Sequence, residues 1–444
     1  MVDVLHVAAQ FVGGASHVVL IVSLVALSIF GAPLIWLCVN HVRLRATALE
    51  QERALLSSPL PPDSQLPHVL LQIPSFNEGG LVRRIAEAIG NLDWPRDKLH
   101  VQMLDDSTDE SVAVAADASA MLRERGIDAI LLHRTLRAGF KAGALAAGLA
   151  QSTCEFVAIF DVDYLPPRSF LRACMRPMLI EPGLGLVQAR CDYLNANENK
   201  LTAVQQRLLD AHFAVEQATR SWLDLVVPFN GTCGIWRRAA IQEAGGWQGD
   251  TLAEDMDLSY RAQSLGWKGR YLVTVTVPGE LPGSFDAWRA QQSRWTKGYA
   301  QTSRKLLPMI RRSKLTPRAK AAAILHLGSS AMGPVICTAL TALPVDLLLG
   351  KGVTPLMGTL LCLALTMGLS GGIAQVLLGQ RLARNSAASI EVRKLPAVAW
   401  LSLRVTFSNV RGILEAFMGH ASSFVRTPKR LTPAEAVPAV REDH

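Results

Sequence analysis

The 444-residue sequence lacks the features of a disulfide-bonded, zinc-binding or nucleic-acid-binding protein. Its seven cysteines are odd in number and form no C-x-x-C motif, which argues against a disulfide framework or a zinc site. Reduced thiols instead fit a cytosolic catalytic domain. The net charge is +8, yet no block of Lys and Arg is interleaved with aromatic residues, so nucleic acid is not expected as a partner. Such a basic chain is suited to a membrane surface or an anionic substrate.

Charged residues are also scarce in several long stretches, which indicates a membrane protein. The mean hydropathy is +0.22, and the apolar residues are concentrated in blocks. Val18 to Val39 contains no charge and is long enough to cross a bilayer core of roughly 30 Å. Only Asp3 is charged before it and the basic segment 41–45 follows, so the N-terminus is predicted outside and the next domain in the cytoplasm. The alternative is a cleaved signal peptide, but the basic region with which such peptides begin is missing.

Two further apolar blocks, Ala321 to Leu349 and Val353 to Leu378, predict a transmembrane hairpin. Basic residues precede the hairpin (Arg311, Arg312, Lys314, Arg318 and Lys320) and follow it (Arg381, Arg384, Arg393 and Lys394), which places both of its ends on the cytoplasmic side. The predicted organisation is an N-terminal transmembrane helix at 1–45, a linker at 46–67, a cytoplasmic catalytic domain at 68–306, a basic collar and hairpin at 307–378, an interfacial helix with a loop at 379–430, and a disordered tail at 431–444.

The segment Pro396 to Gly419 has the pattern of an amphipathic helix. Its apolar residues recur at alternating steps of three and four: Trp400, Leu403, Phe407, Val410, Leu414 and Phe417. We expect this helix to lie in the membrane interface, in contact with lipid. The alternative is a third crossing in this C-terminal part, against which the basic residues that follow argue.

The region between the membrane segments has the pattern of an α/β domain. Short apolar runs predict buried strands at Val69–Ile73, Val101–Leu104, Ala129–Leu132 and Phe156–Phe160, and helical stretches lie between them. Such alternation predicts a parallel sheet covered on both faces, as in Rossmann-like nucleotide-binding domains.

Carboxylates follow two of these strands, at the edge where open α/β sheets bind ligands. The segment Asp105–Asp109 follows the second strand, and Asp161 and Asp163 follow the fourth. A carboxylate pair at a strand end can hold Mg²⁺, which prefers a few carboxylates together with phosphate oxygens. The alternative for Asp105–Asp109 is an acidic turn that caps the next helix.

Three further motifs are candidates for the same site. Lys141 lies in a glycine-containing helix start and offers a point charge for phosphate. The segment Glu254–Leu258 contains a candidate general base, although acidic residues also favour any helix N-terminus. In Gln291–Trp295, an Arg can bind a diphosphate and a Trp can stack on a sugar, although the set could also be an interfacial anchor.

Together these motifs resemble the membrane-bound, processive family-2 β-glycosyltransferases, in particular the cellulose-synthase-like mannan and glucan synthases. The matching segments are Pro74–Glu78, Asp105–Asp109, Gly139–Leu145, Asp161–Asp163, Phe229–Thr232, Glu254–Leu258 and Gln291–Trp295. The resemblance covers about residues 68–300 and implies a GT-A type fold with transmembrane helices on both sides.

The resemblance also implies a role for each motif. The donor nucleotide and its diphosphate would be bound by Pro74, Glu78, Asp105, Asp106, Lys141, Asp161, Gln291 and Arg294, and the metal, Mg²⁺ or Mn²⁺, by Asp161 and Asp163. Asp255 would be the base, and the acceptor would contact Trp295, Asn230, Gly231, Thr232 and Glu254. The segment 424–429 resembles the gating loop of the family, with Phe424, Thr427 and Lys429 at the matching positions. Arg426 departs from the pattern, since the family often has Val before the Thr.

The expected activity is inverting, metal-dependent transfer of a hexose from a nucleotide sugar to a growing polysaccharide. UDP-glucose is the favoured donor and GDP-mannose the next. The alternatives are transfer of a single sugar to a lipid, as in ceramide glucosyltransferases, and a non-catalytic membrane scaffold. The expected location is the inner or plasma membrane. Because few membrane helices follow the catalytic motifs, a homo-oligomer or an additional membrane subunit is a further expectation.

Overall fold

A mixed α/β sheet forms the centre of the computed structural model, which describes residues 2–350 and 352–419. The strands in this part of the chain are β1 Val69–Ser75, β2 Leu99–Asp105, β3 Asp128–His133, β4 Phe156–Ile159, β5 Leu184–Tyr193, β6 Gly234–Arg237 and β7 Lys268–Gly279. Their order across the sheet is β3-β2-β1-β4-β6-β5-β7. The predicted α/β class is therefore confirmed, with all four predicted strands in place.

Helices cover the sheet and extend beyond it. They are α1 Val2–Ser57, α2 Leu81–Gly90, α3 Ser111–Glu124, α4 Phe140–Ala150, α5 Phe170–Ile180, α6 Lys200–Asp210, α7 Ala218–Trp222, α8 Arg238–Glu243, α9 Glu254–Ser264, α10 Phe285–Arg312, α11 Pro317–Gly328, α12 Met332–Leu349, α13 Pro355–Ala364, α14 Ser370–Arg384, α15 Ala388–Val392 and α16 Leu395–Phe417. Two π-helical segments, Ala211–Gln217 and Leu365–Leu369, connect α6 to α7 and α13 to α14.

The sheet is only partly parallel, which corrects the expectation of a parallel sheet. Strands β3, β2, β1 and β4 run in the same direction, whereas β6 is antiparallel to both β4 and β5. The reason lies in the loop before β6. It reaches the sheet at the carboxyl end of β4, where the backbone N–H of Cys233 donates to the carbonyl of Ile159 at 2.9 Å. A strand that starts there can only run back along β4.

Alternate residues of the strands enter two separate cores, as the two-residue period of a strand requires. Leu71 and Ile73 of β1 pack in a core that includes residues of α2, α3 and α5. Leu70 packs on the other face, in a core that includes Leu145 of α4 and Trp236 of β6. The sheet is thus buried between two helical layers.

The first helix is longer than expected, because residues 46–57, which were assigned to a linker, continue α1 to Ser57. The buried Glu52 explains this extension. Its carboxylate accepts hydrogen bonds from the backbone N–H groups of Val273 and Thr274 at 3.1 and 2.7 Å. These groups lie where the pairing of β5 with β7 shifts register. Glu52 therefore supplies the acceptors that the interrupted ladder does not, and it fixes α1 to the catalytic domain.

Three helical stretches in the described chain are long and apolar enough to cross a membrane: Val4–Ser57, Pro317–Leu349 and Pro355–Arg384. They contain the apolar blocks found in the sequence. α1 packs against α12, where His17 Nδ1 lies 3.0 Å from a carboxylate oxygen of the fully buried Asp346. Large apolar side chains such as Phe11 and Val22 are exposed on α1, as expected of a surface that faces lipid.

The amphipathic pattern of α16 corresponds to two faces of the helix. Trp400 and Phe407 of the predicted apolar stripe are 64% and 53% exposed, so they are available to contact lipid. Asn409 lies on the other face and donates to the hydroxyl of Thr296 at 3.1 Å. An ion pair of 2.9 Å joins Lys297 of α10 to Glu415 of α16. Helix α16 is therefore held against α10, the helix that contains the Gln291–Trp295 motif.

Candidate active site

The carboxyl end of β4 brings three separate sequence motifs together. Asp161 follows this strand, and its carboxylate accepts a hydrogen bond from Lys141 Nζ at 2.6 Å. The same ammonium group donates to the carbonyl of Gly231 at 2.8 Å. Although burial opposes it, the negative charges of Asp161, Glu254 and Asp255 raise the pKa of Lys141. Lys141 is therefore a fixed positive charge at the centre of the site.

Asp255 and Lys141 both lie close to Gly231. Gly231 has a φ of +79°, and a Cβ atom at this position would lie 2.8 Å from Asp255 Oδ2 and 3.2 Å from Lys141 Nζ. Glycine is thus required both by the backbone and by the space. Burial, and then the charge of Glu254, raise the pKa of Asp255 to about 7, against the opposing effect of Lys141. A carboxyl group with such a pKa can accept a proton near neutral pH.

The long helix α10 contributes three further side chains to the site. Gln291, Arg294 and Trp295 are three and four residues apart, and all three line the same cavity. Burial lowers the pKa of the half-buried Arg294, while the charges of Glu254, Asp161 and Asp255 oppose that shift. Its guanidinium therefore lies within the field of these three carboxylates, and the geometry of this group matches the oxygens of a diphosphate.

The two neighbouring carboxylates after β2 differ in their surroundings. Asp105 is fully buried and accepts hydrogen bonds from Ser75, Ser107 and His133 at 3.0, 2.6 and 2.8 Å. Asp106 instead lines the cavity. The sequence did not distinguish between them as nucleotide ligands. In the structure, Asp106 is the candidate for contact with the nucleotide. Asp105 instead positions the loop that follows β2 through its hydrogen bonds.

Residues of the predicted nucleotide side surround Asp106. Both of its oxygens accept hydrogen bonds from Arg134 at 2.7 Å. Pro74 and Glu78, which the resemblance assigned to the donor, also line the cavity. Sequence reasoning missed Phe76, whose ring lies 3.6 Å from the guanidinium carbon of Arg137. Phe76 stood inside the Pro74–Glu78 motif, but nothing in the sequence indicated that its ring would stack on Arg137.

The predicted acceptor segment Asn230–Thr232 makes hydrogen bonds that position other residues of the site. The hydroxyl of Thr232 accepts a hydrogen bond from the backbone N–H of Asp161 at 2.9 Å. The side chain of Asn230 accepts one from Gln217 at 2.8 Å. All three residues of the segment line the cavity, as does Glu254. Thr232 therefore positions the strand end that contains Asp161.

Asp106, Lys141, Asp161, Asp255 and Arg294 line one large cavity of about 1120 Å³. It extends from Pro74 and Asp106 past Asp161 and Asp255 to residues of α1, α11 and α16. Glu280 and Trp288 also line it and were not singled out in the sequence. The predicted gating-loop residues Phe424, Thr427 and Lys429 lie outside the described part of the chain.

The donor set of the cavity fits a divalent metal that binds together with a diphosphate. Asp161 and Asp163 both line the cavity and offer hard oxygen ligands. Within residues 2–350 and 352–419, no group of three or more His, Cys, Asp and Glu side chains could enclose a metal ion. Two carboxylates plus substrate phosphates are nevertheless a common arrangement for Mg²⁺.

Comparison with known protein families supports the sequence resemblance. A family model described as "Glycosyltransferase like family 2" matches residues 67–298, which is just over half of the chain. The chain therefore belongs to the family-2 glycosyltransferases, and its α/β domain is a glycosyltransferase domain.

Curated relatives define the branch of the family more closely. The chain is 45% identical to glucomannan 4-beta-mannosyltransferase 2 of Arabidopsis thaliana over 255 residues, or 56% of this chain and 48% of that protein. It is 42% identical to glucomannan 4-beta-mannosyltransferase 1 of Oryza sativa subsp. japonica over 276 residues, or 59% of this chain and 52% of that protein. The resemblance to cellulose-synthase-like synthases is thus confirmed, although the chain spans about half the length of the curated relatives it matches.

A solved structure shares the fold. The mannosyltransferase PcManGT from Pyrobaculum calidifontis, in complex with GDP-Man and Mn²⁺, matches 83% of this chain and 100% of its own chain. The TM-score is 0.56 and the sequence identity 24%. The GT-A type of the sheet is thereby confirmed.

Proposed function

We propose that the chain is an inverting β-mannosyltransferase that transfers mannose from GDP-mannose to a growing polysaccharide. The observation that carries this proposal is that the side chains of the half-buried Asp255 and of Lys141 meet beside Gly231, 2.8 and 3.2 Å from the position of a Cβ atom there. One carboxylate with a pKa of about 7 thereby faces a site with fixed positive charge. Inverting transfer needs a base on the acceptor and stabilisation of the departing diphosphate.

The comparisons reverse the order of donors expected from the sequence. UDP-glucose was favoured, but the relatives at 45% and 42% identity are glucomannan mannosyltransferases. The structural neighbour was solved with GDP-Man and Mn²⁺. On these grounds GDP-mannose replaces UDP-glucose as the proposed donor.

Each group has a definite task in the proposed reaction. The carboxylate of Asp255 takes the proton from an acceptor hydroxyl, whose oxygen forms a bond to C1 of the mannosyl group. The bond between C1 and the diphosphate oxygen breaks, and its electron pair leaves with GDP. Lys141 and Arg294 stabilise the charge that develops on the diphosphate. Asp161 and Asp163 would hold Mg²⁺ or Mn²⁺, which when bound neutralises phosphate charge.

The proposed location follows from the helices and the charges beside them. Three stretches are apolar enough to span a membrane, and Glu52 fixes the first of them to the catalytic domain. With basic residues at the cytoplasmic ends, the catalytic domain would face the cytoplasm and the N-terminus the outside.

Donor turnover tests the proposed function. The purified membrane protein would be incubated separately with GDP-mannose and UDP-glucose in the presence of Mn²⁺, and nucleotide release and product length would be measured. We expect release of GDP together with oligosaccharide elongation. Release of UDP alone would overturn the choice of donor. A single mannose on a lipid would favour the alternative acceptor, and no turnover of either donor would favour a non-catalytic scaffold.

A further inference from the structure

One of the basic residues beside the transmembrane hairpin binds the catalytic domain. In the sequence, Arg384 is grouped with Arg381 as a charge that follows the second apolar block. In the structure, Arg384 is the last residue of α14, and its Nε donates to Asp210 Oδ2 at 3.0 Å while its Nη2 contacts Asp192. Arg381 is exposed. The preference for positive charge at a cytoplasmic helix end therefore accounts for Arg381 but not for the contacts of Arg384.

Arg384 joins the ends of two elements of the catalytic domain. Asp192 lies near the end of β5, and Asp210 is the last residue of α6. Asp210 is fully buried, and its Oδ2 accepts a further hydrogen bond from Gln380 of α14 at 2.9 Å. Its other oxygen lies 3.3 Å from Nη2 of Arg384. Both carboxylate oxygens of Asp210 are thus bound by α14.

The backbones of the hairpin and of the catalytic domain also approach closely at this point. A Cβ atom on Gly379 would lie 2.8 Å from the backbone nitrogen of Ala211, so only glycine allows this approach. Ala211 is the first residue of the π-helical segment Ala211–Gln217, a conformation that is rare in proteins. Helix α14 therefore holds the start of this segment by its backbone as well as by side chains.

Residues next to these contacts line the cavity. Tyr193 follows Asp192 in the sequence, and Leu209 and His212 stand on either side of Asp210; all three line the cavity and are here called the β5–α6 wall. None of the residues that the resemblance assigned to the donor belongs to β5, α6 or the π-helical segment. In the proposed reaction a shift of this wall should therefore alter use of the acceptor more than use of the donor.

We propose that Arg384 is a positioning residue that fixes the β5–α6 wall through Asp192 and Asp210 and thereby maintains affinity for the acceptor. The inference rests on the proposed polysaccharide synthesis. It makes the end of the transmembrane hairpin part of the support of the active site. Removal of one partner from a buried ion pair is costly, because the other charge stays buried, so loss of Arg384 should release the wall.

A lysine at position 384 separates positioning from a general need for positive charge. Arginine presents several donors in a planar fork, and here Nε and Nη2 reach two carboxylates at once, whereas lysine offers one point charge. Arg384→Lys keeps the charge that membrane topology requires but not the two-sided contact. Asp210→Asn breaks the same contact from the other partner at nearly constant volume. Arg381→Lys is the matched control, because Arg381 is an exposed residue of the same helix.

Hydrogen exchange tests the hold on the wall without the reaction. The full chain would be purified in detergent, and exchange of the backbone amides in residues 205–217 would be followed by mass spectrometry. We expect exchange there to be about tenfold faster in Arg384→Lys and in Asp210→Asn, as for loss of one hydrogen bond between charged groups. Exchange in Arg381→Lys should match the wild type.

Initial rates test the effect on the acceptor, which is β-1,4-linked mannohexaose. We expect its KM to rise about tenfold in Arg384→Lys, while kcat at saturating acceptor and the Kd of GDP stay within about twofold of the wild type. An equal rise of KM in Arg381→Lys, or an equal loss of GDP affinity, would overturn the proposal. Wild-type protein without transfer from GDP-mannose would refute the proposed function, whereas unchanged exchange in Arg384→Lys would refute the positioning role even where transfer is observed.

Discussion

Replacement of Asp255 by Asn should separate catalysis from donor binding. The substitution keeps the size of the side chain but removes its ability to take a proton. Loss of a general base costs a factor of about 10²–10⁴ in rate, which corresponds to about 3–5 kcal/mol in the barrier. The donor should bind at least as tightly, because a negative charge close to Lys141 and Arg294 is removed from the diphosphate site.

The assay is the initial rate of mannose transfer at saturating donor, together with the Kd of GDP-mannose measured by titration. The matched control is Asp250→Asn, because Asp250 is an exposed carboxylate in the loop before α9 and pairs with Lys305 at 2.7 Å. An exposed pair contributes little to stability, so the control should retain its activity. A rate for Asp255→Asn within tenfold of the wild type would refute the assignment of the base.

Three further predictions concern pH, metal and stability. Because the pKa of Asp255 is raised to about 7, its basic form is lost as the pH falls. The rate should therefore rise with pH and level off above about pH 7. A rate that is flat from pH 5 to 8 would contradict this. Asp163→Asn should raise the Mn²⁺ concentration needed for half-maximal rate at least tenfold by the loss of one hard ligand, and full activity in excess chelator would exclude the metal. Glu52→Ala should lower the free energy of unfolding by about 2–4 kcal/mol, since the N–H groups of Val273 and Thr274 lose their acceptor. Thermal unfolding in detergent measures this loss, and an unchanged midpoint would contradict the role of Glu52 as an anchor.

Local patterns in the sequence were sufficient to predict the elements that carry candidate site residues, namely β4 and α10. The run Phe156–Phe160 is apolar because β4 is buried on both faces, and that burial places Asp161 and Asp163 at a strand end. The spacing of Gln291, Arg294 and Trp295 likewise places them on one side of α10. In both cases the period of a single element determines which residues reach the cavity.

Contacts between distant segments could not be predicted in this way. The approach of Asp255 to Lys141 beside Gly231 depends on the segment that leads into β6, which runs antiparallel to β4, whereas the sequence suggested a parallel sheet. The choice between Asp105 and Asp106 depends on which side chain Ser75 and His133 bind.

The extension of α1 and the contact of Glu216 with His326 were missed for related reasons. Residues 46–57 follow the apolar stretch of α1 and precede a proline-rich segment, so their composition gave no sign that Glu52 would bind β7. Likewise, His212 and Glu216 lie in an ordinary helical stretch, and their partner His326 comes much later in the chain. Only the folded arrangement shows that these groups line a cavity.

The configuration of the product tests the central claim most directly. The purified chain would be given GDP-mannose, Mn²⁺ and mannohexaose, and the new glycosidic bond would be examined by NMR. Since the mannosyl group of GDP-mannose is α-linked, inverting transfer assisted by Asp255 predicts a new β-linkage on a longer oligosaccharide. An α-linked product, or release of GDP and free mannose without elongation, would contradict the account.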